Sequence, residues 1–174
     1  MTAESKLITW IQNVLSTTPV RWNGLVQSLP FELLSQRPAQ KEWSAIECLQ
    51  HLVDVEAVFT FRLLAFLDGR DFPAFDPDSQ GTSPVVPPSP AELAQEFERM
   101  RGQNLETLAK LTADDLERRS RHAELGPVTL AEMLNNWAAH DLNHTVQAER
   151  ALMQPFIRDC GPWQSYFTDH RIDG

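Results

Sequence analysis

The stretch "HDLNH" sets His140 and His144 four residues apart inside "TLAEMLNNWAAHDLNHTVQAERAL", a segment otherwise patterned like a packed helix. On an α-helix that spacing puts both imidazoles on one face, offset by about 40° and one turn, so they can reach a common point. Helical zinc sites use paired histidines in this way. An ion needs at least one more ligand, and His51, in "ECLQHLVDVE", is the best-placed third. His122, in an irregular strip, and His170, near the C-terminal end, rank below it. Three neutral imidazoles with an open fourth position form a catalytic type of site rather than a closed structural one. The competing reading is a solvated polar face, because an i, i+4 pair also arises by chance. Leu142, Val146 and Met153 lie roughly opposite the pair and lend that reading weight. Spacing alone leaves both open.

Metal-bound histidines usually donate their second ring N–H to a carboxylate or carbonyl, which fixes the tautomer. Glu47 and Asp54 flank His51 within a turn, and Gln147 shares the face of the pair, as do Asn136, Met133 and Trp137. Glu47, Asp54 and Gln147 are therefore the candidate supporting groups, although Glu47 is first a helix-capping residue. Asp141 projects about 100° away from His140 and reads as part of a surface or interhelix salt bridge. Cys48, one turn from His51, reads as a small core residue before a ligand or nucleophile, and the tryptophans read mostly as core. No G-x-x-x-x-G-K-[ST], G-x-G-x-x-G or G-x-S-x-G occurs, so phosphate cradles and serine nucleophile elbows find no support.

These side chains need helices to hold them, and the helix starts are well marked. "SAIE", "SPAE" and "TLAE" each fit a capping box, with Pro90 at the first helical position of the second. They predict helices at roughly 44–68, 90–110 and 129–153. A fourth comes from "ESKLITWIQNVL", with Leu7, Ile8, Ile11, Val14 and Leu15 on one stripe. Thr17-Thr18-Pro19 is expected to break or kink it before it continues to about Leu29. The proline-rich "DGRDFPAFDPDSQGTSPVVPPSP" is neither helix nor central strand and is long enough to run the length of a bundle. Residues 112–127 read as a helical turn followed by an extended strip or small hairpin, and the aromatic tail after Pro155 as a short helix or loop packed on the bundle.

The 174 residues, 42% of them hydrophobic, fit one domain spanning 1–174. A net charge of −9 with no block of lysines or arginines argues against nucleic acid or an anionic membrane surface. No apolar run approaches the ~20 residues of a membrane span. The N-terminus, with its early Glu4, does not resemble a secretory signal. Two distant cysteines, Cys48 and Cys160, form no disulfide framework or metal motif, so a cytoplasmic protein is expected.

Two segments carry a family resemblance. "LPFELLSQRPAQKEWSAIECLQHLVDVEAVFTFRL" resembles the first signature of the DinB-like (YfiT-like) metalloenzymes, running through Arg37-Pro38 and Trp43-Ser44 to a helix with a His-Leu pair. "GPVTLAEMLNNWAAHDLNHTVQAERAL" resembles the second, a helix bearing His-Asp-x-x-His and then a glutamine. The resemblance covers nearly the whole chain. It implies an all-α four-helix bundle of up-down-down-up topology, with the long proline-rich connection between helices 2 and 3. It also implies His51, His140 and His144 as metal ligands and a homodimer, which would cover Leu142, Val146 and Met153. The implied cofactor is a divalent ion, zinc or nickel first, iron or manganese next. In one set of relatives such an ion serves transfer of a low-molecular-weight thiol to an electrophile; others are regarded as metal-dependent hydrolases. Thiol transfer is the first expectation here, because hydrolysis wants a general base and only Glu47 and Asp54 offer one. Hydrolysis of a small-molecule substrate is the alternative, and a non-catalytic bundle that uses the metal for packing or sensing is a third.

Overall fold

A computed structural model of the chain describes residues 3–74 and 88–172. Four long helices build it: α1 (Ala3–Ser28), then, after the short α2 (Phe31–Ser35), α3 (Ala45–Asp68), α4 (Pro90–Leu108) and α5 (Leu130–Asp159). A 3-10 turn (Asp114–Glu117) and a hairpin of β1 (Arg119–His122) and β2 (Gly126–Thr129) link α4 to α5. A second 3-10 segment, Gly161–His170, closes the chain. Most of the proline-rich connection between α3 and α4 lies outside the described residues.

All three expected capping boxes form. The hydroxyls of Ser44, Ser89 and Thr129 accept from the backbone N–H of Glu47, Glu92 and Glu132, whose carboxylates accept in return from the cap N–H. These reciprocal bonds satisfy donors that a helix start leaves open, and so fix where each helix begins. α3 stops at Gly69, whose φ of 67° lets its N–H turn back to the carbonyls of Ala65 and Phe66. α5 runs beyond its expected end, through Pro155 to Asp159.

The first helix departs from its expected break. α1 is continuous, with Pro19 inside it. Proline lacks the N–H that would bond the carbonyl four residues back, which usually costs about 3 kcal/mol in a helix interior. Here that carbonyl belongs to Leu15, and Nη1 of Arg101 donates to it at 2.8 Å. A donor from another helix takes the place of the missing one.

The bundle packs α1 against α4 and α5, and α3 against the same two. Cross-helix pairs give the directions. Leu15 meets Arg101 while Asn23 meets Glu98, so α1 and α4 are antiparallel. Arg101 binds Glu56 while Asn104 reaches Thr60, so α3 and α4 are parallel. Phe59 stacks on Trp137 while His51 faces His144, so α3 and α5 are antiparallel. This is the up-down-down-up four-helix bundle, and its parallel α3–α4 pair is why those helices need a long connection.

The core has two apolar halves. One holds Ile11, Leu15, Phe59, Leu63, Phe66, Leu134 and Trp137; the other holds Trp22, Leu49, Leu52, Leu93, Phe97, Ala148 and Leu152. Between them in each of the four long helices stands a buried polar residue or carbonyl: the Leu15 carbonyl on α1, Glu56 on α3, Arg101 and Asn104 on α4, and Asp141 on α5. Of the five tryptophans, Trp22 and Trp137 are core as expected, whereas Trp10 and Trp163 are exposed. No helix among the described residues is long and apolar enough to cross a membrane.

Candidate metal centre

The capping box at Ser44 sets the register of α3, so His51 falls two turns in, toward α5. On α5 the stacked pair Phe59–Trp137 (centroids 4.7 Å apart, planes 8° apart) pins the facing register, and His140 lies one turn beyond Trp137. His140 also meets the Phe59 ring edge-on, at 5.8 Å. These contacts bring His51, His140 and His144 together, each half-buried, with one ring nitrogen from each within 4.8 Å of the others. Nε2 of His51 and Nε2 of His140 are 3.1 Å apart.

Gln147 settles one tautomer. Its Oε1 lies 2.8 Å from His144 Nδ1 and can only accept, so Nδ1 carries the proton and Nε2 keeps its lone pair. His140 Nδ1 is buried with no partner. Burial pushes His51 down to about 4, helped by His144. It does the same to His140, also to about 4, with His144 and His51 adding to the effect. His144 is lowered by burial too, with Gln147 and Asp141 opposing. At neutral pH all three imidazoles are therefore uncharged, the state in which they bind metal.

Trp43 walls the cluster from outside. Its ring stacks on His144 at 5.7 Å and 21° and meets His51 at 5.0 Å. The sequence places Trp43 in a motif and groups it with tryptophans that read mostly as core; here it is half-buried against the histidines.

Not every expected supporting group arrives. Gln147 does, on His144. The Glu47 carboxylate accepts instead from Ser44 and pairs with the Arg37 guanidinium. Burial opposes its charge, but Arg37 and Ser44 outweigh that and hold the carboxyl below its ordinary range. Asp54 accepts from Gln50 at 2.9 Å. Cys48 is fully buried, and burial pushes its thiol up to about 12, ahead of a smaller effect from Glu47, so it is a core residue. His122 sits in β1, its Nδ1 accepting from the backbone of Glu124 and Leu125 and its Nε2 3.2 Å from Arg62. His170 is exposed and serves through its carbonyl, which accepts from Arg150 and Gln154. Asn136 is exposed.

Asp141 takes the interhelix role expected of it, in a larger cluster that sequence reading missed. Arg101 donates Nε and Nη2 to the two carboxylate oxygens of Glu56, at 2.7 and 2.8 Å. Its Nη1 and Nη2 also bond both oxygens of Asp141, each at 2.8 Å. Asn104 donates to Glu56 and to Thr60. The three charged side chains are each 1% exposed. Burial opposes the Arg101 charge, but the two carboxylates prevail and raise it above its ordinary range.

The donor set suits a divalent transition ion. Three neutral nitrogens converge, and the 3.1 Å between two of them is near the ~3.4 Å set by two ligands each ~2.1 Å from one tetrahedral ion. One tautomer is fixed in advance with its lone pair free.

The chain's relatives agree with this architecture. Residues 15–148 match the profile of the DinB superfamily. Among solved structures, the fold is similar to YfiT from Bacillus subtilis, described as a probable metal-dependent hydrolase with an unusual four-helix bundle topology. That match has a TM-score of 0.72 and 17% identity, over 90% of each chain. It is also similar to YjoA, a DinB-like protein from Bacillus subtilis, with a TM-score of 0.58 and 18% identity over 84% of this chain and 92% of that one. Comparison with curated protein sequences gives no match. With a family profile spanning most of its length and a bundle that follows the same course, the chain belongs to the DinB superfamily.

Proposed function

We propose that this chain is a metal-dependent enzyme in which His51, His140 and His144 hold a divalent ion and a low-molecular-weight thiol is transferred to an electrophile. One observation carries the choice of reaction: the imidazoles converge while the carboxylates closest to them in sequence are committed elsewhere. Glu47 is held by Arg37, Asp54 by Gln50, and Asp141 by Arg101. Water activation wants a proton acceptor within hydrogen-bond reach, whereas a thiol is acidic enough to ionise without one. A divalent ion in this site supplies Lewis acidity, which makes a thiol beside it a stronger nucleophile at neutral pH. The chain's own groups do the rest. Gln147 orients His144, Trp43 keeps water from one flank and offers a flat apolar wall, and the half-buried mouth admits a small substrate.

Hydrolysis is the second reading, favoured by the likeness to YfiT and its description. It requires Glu47 to leave Arg37, or Asp54 to leave Gln50, and turn toward the histidines. For the ion, imidazole donors favour zinc or nickel, with iron or manganese as alternatives. We also propose a homodimer formed through α5, where Leu142 and Val146 are 49% and 62% exposed. The free cysteines Cys48 and Cys160 suit a cytoplasmic setting.

The test is metal analysis of the native protein and of His144→Ala, then assays of both for thiol conjugation to a generic electrophile and for ester hydrolysis. The expected result is a bound ion and conjugation in the wild type, both lost in the variant. Equal metal in the two proteins refutes the site. Hydrolysis without conjugation selects the second reading. Metal without either activity leaves a binding or sensing protein.

A further inference from the structure

The Glu56–Arg101–Asp141 cluster holds more negative charge than it needs to hold the helices. One carboxylate would neutralise Arg101. The second leaves a formal charge of −1 where all three side chains are 1% exposed. Among the described residues no second Lys or Arg pairs with either carboxylate, and all five N–H bonds of Arg101 go to the two carboxylates and the Leu15 carbonyl. Asn104, the other donor, is neutral. Uncompensated charge in a dry interior is costly, and buried ion clusters often add less stability than apolar residues of the same volume. So stability alone does not account for a second carboxylate here.

Its position does. Asp141 follows His140 directly on α5, and its charge favours a cation at both His140 and His144, with Arg101 opposing it at His140. Its two bonds to Arg101 also fix the rotation of α5 about its axis. With Asp141 turned into the core, residues 140 and 144 are turned toward α3 and His51. On α3, Glu56 lies five residues from His51, about 7.5 Å along the helix. The same guanidinium therefore sets both helices that carry the ligands.

We propose that the Glu56–Arg101–Asp141 cluster is a positioning and counter-charge device for the three-histidine centre: it locks α3 and α5 in the ligand-facing rotation, and its surplus carboxylate favours a cation there. This role rests on the proposed metal reading. Its test uses the full-length chain, with cobalt(II) uptake followed by visible absorption and zinc affinity by chelator competition. Thermal unfolding in EDTA is measured beside them.

Two variants separate this role from plain packing. The triple replacement Glu56→Leu/Arg101→Met/Asp141→Leu removes all charge from the cluster, and is expected to stay folded, because losing the buried ions offsets the Leu15 carbonyl that it strands. Its metal affinity is expected to fall about tenfold to a hundredfold, the range seen when groups behind metal ligands are replaced. Glu56→Gln touches no histidine and keeps the side-chain shape. It is expected to lose about tenfold in affinity with an unchanged cobalt spectrum, because a divalent ion feels one buried charge less. Wild-type affinity in a folded triple variant overturns the proposal, as does wild-type affinity in Glu56→Gln if the triple variant fails to fold. Wild-type protein that takes up no metal overturns the metal reading, and this role falls with it.

Discussion

Replacing Arg101 with methionine keeps an apolar stem over the Phe97 ring, where the guanidinium carbon now sits 4.7 Å from the centroid. It removes five N–H donors at once. Glu56 and Asp141 are left facing each other at 1% exposure, and breaking a buried ion pair from one side costs about 3–5 kcal/mol. A second loss is particular to this fold. The Leu15 carbonyl has Arg101 as its donor because Pro19, four residues on, has no N–H. Stranding a buried carbonyl costs about 1–3 kcal/mol. The two losses overlap, and roughly 4–6 kcal/mol is expected against a total stability of about 5–15 kcal/mol. At a urea slope of about 2 kcal/mol per molar, the midpoint drops by roughly 2–3 M. Tryptophan fluorescence in EDTA follows the transition. A proline substitution then isolates the carbonyl. Pro19→Ala restores an N–H facing Leu15, which gains little when Arg101 is present and about 1 kcal/mol more when it is absent. A midpoint drop under about 0.5 M for Arg101→Met, or Pro19→Ala effects equal in both backgrounds, would refute this account.

Three further outcomes follow from the site. The apo protein loses stability as pH falls: His51 and His140 titrate near 4 when folded against an ordinary value of 6.5, so the unfolded chain binds more protons in between. Stability should be whole above pH 6.5 and decline toward pH 4, as read by urea midpoints in EDTA, and a midpoint that rises on acidification across that window contradicts it. Gln147→Leu removes the acceptor on His144 Nδ1 and should weaken zinc binding by about ten- to a hundredfold at near-unchanged stability; unaltered affinity means that bond does not orient the ligand. Leu142→Glu/Val146→Glu places charge on the exposed face of α5 and should convert a dimer to monomer in light scattering, and a double variant with wild-type mass excludes that face.

Local signals in the sequence were reliable where a single turn of helix decides the outcome. The capping boxes at Ser44, Ser89 and Thr129 need only residues three apart, and each formed. His140 and His144 needed only one helix, whereas adding His51 depended on α3 packing antiparallel to α5, which the family resemblance implied. Glu47 shows how local reading falls short. Its spacing fits both a cap and a supporting role, but the ion pair with Arg37, ten residues upstream, turns the carboxylate away.

The polar layer was written in the sequence in a form that one helix at a time cannot expose. On α4 the buried positions run Leu93, Ala94, Phe97, Arg101, Asn104 and Leu108, so Arg101 occupies the middle of an apolar stripe. On α3, Glu56 stands likewise between Leu52, Val55 and Phe59. A charge in such a register is a detectable anomaly, since charged residues are rarely buried unless paired. Its partners, however, lie 45 and 40 residues from Arg101 along the chain, beyond any periodicity. Pro19 belongs to the same problem. Read locally it ends a helix; read with Arg101 it is the residue that frees a carbonyl for the guanidinium. The apparent flaw in α1 and the apparent flaw in α4 are thus two halves of one interaction, and each becomes intelligible only when the other is placed opposite it.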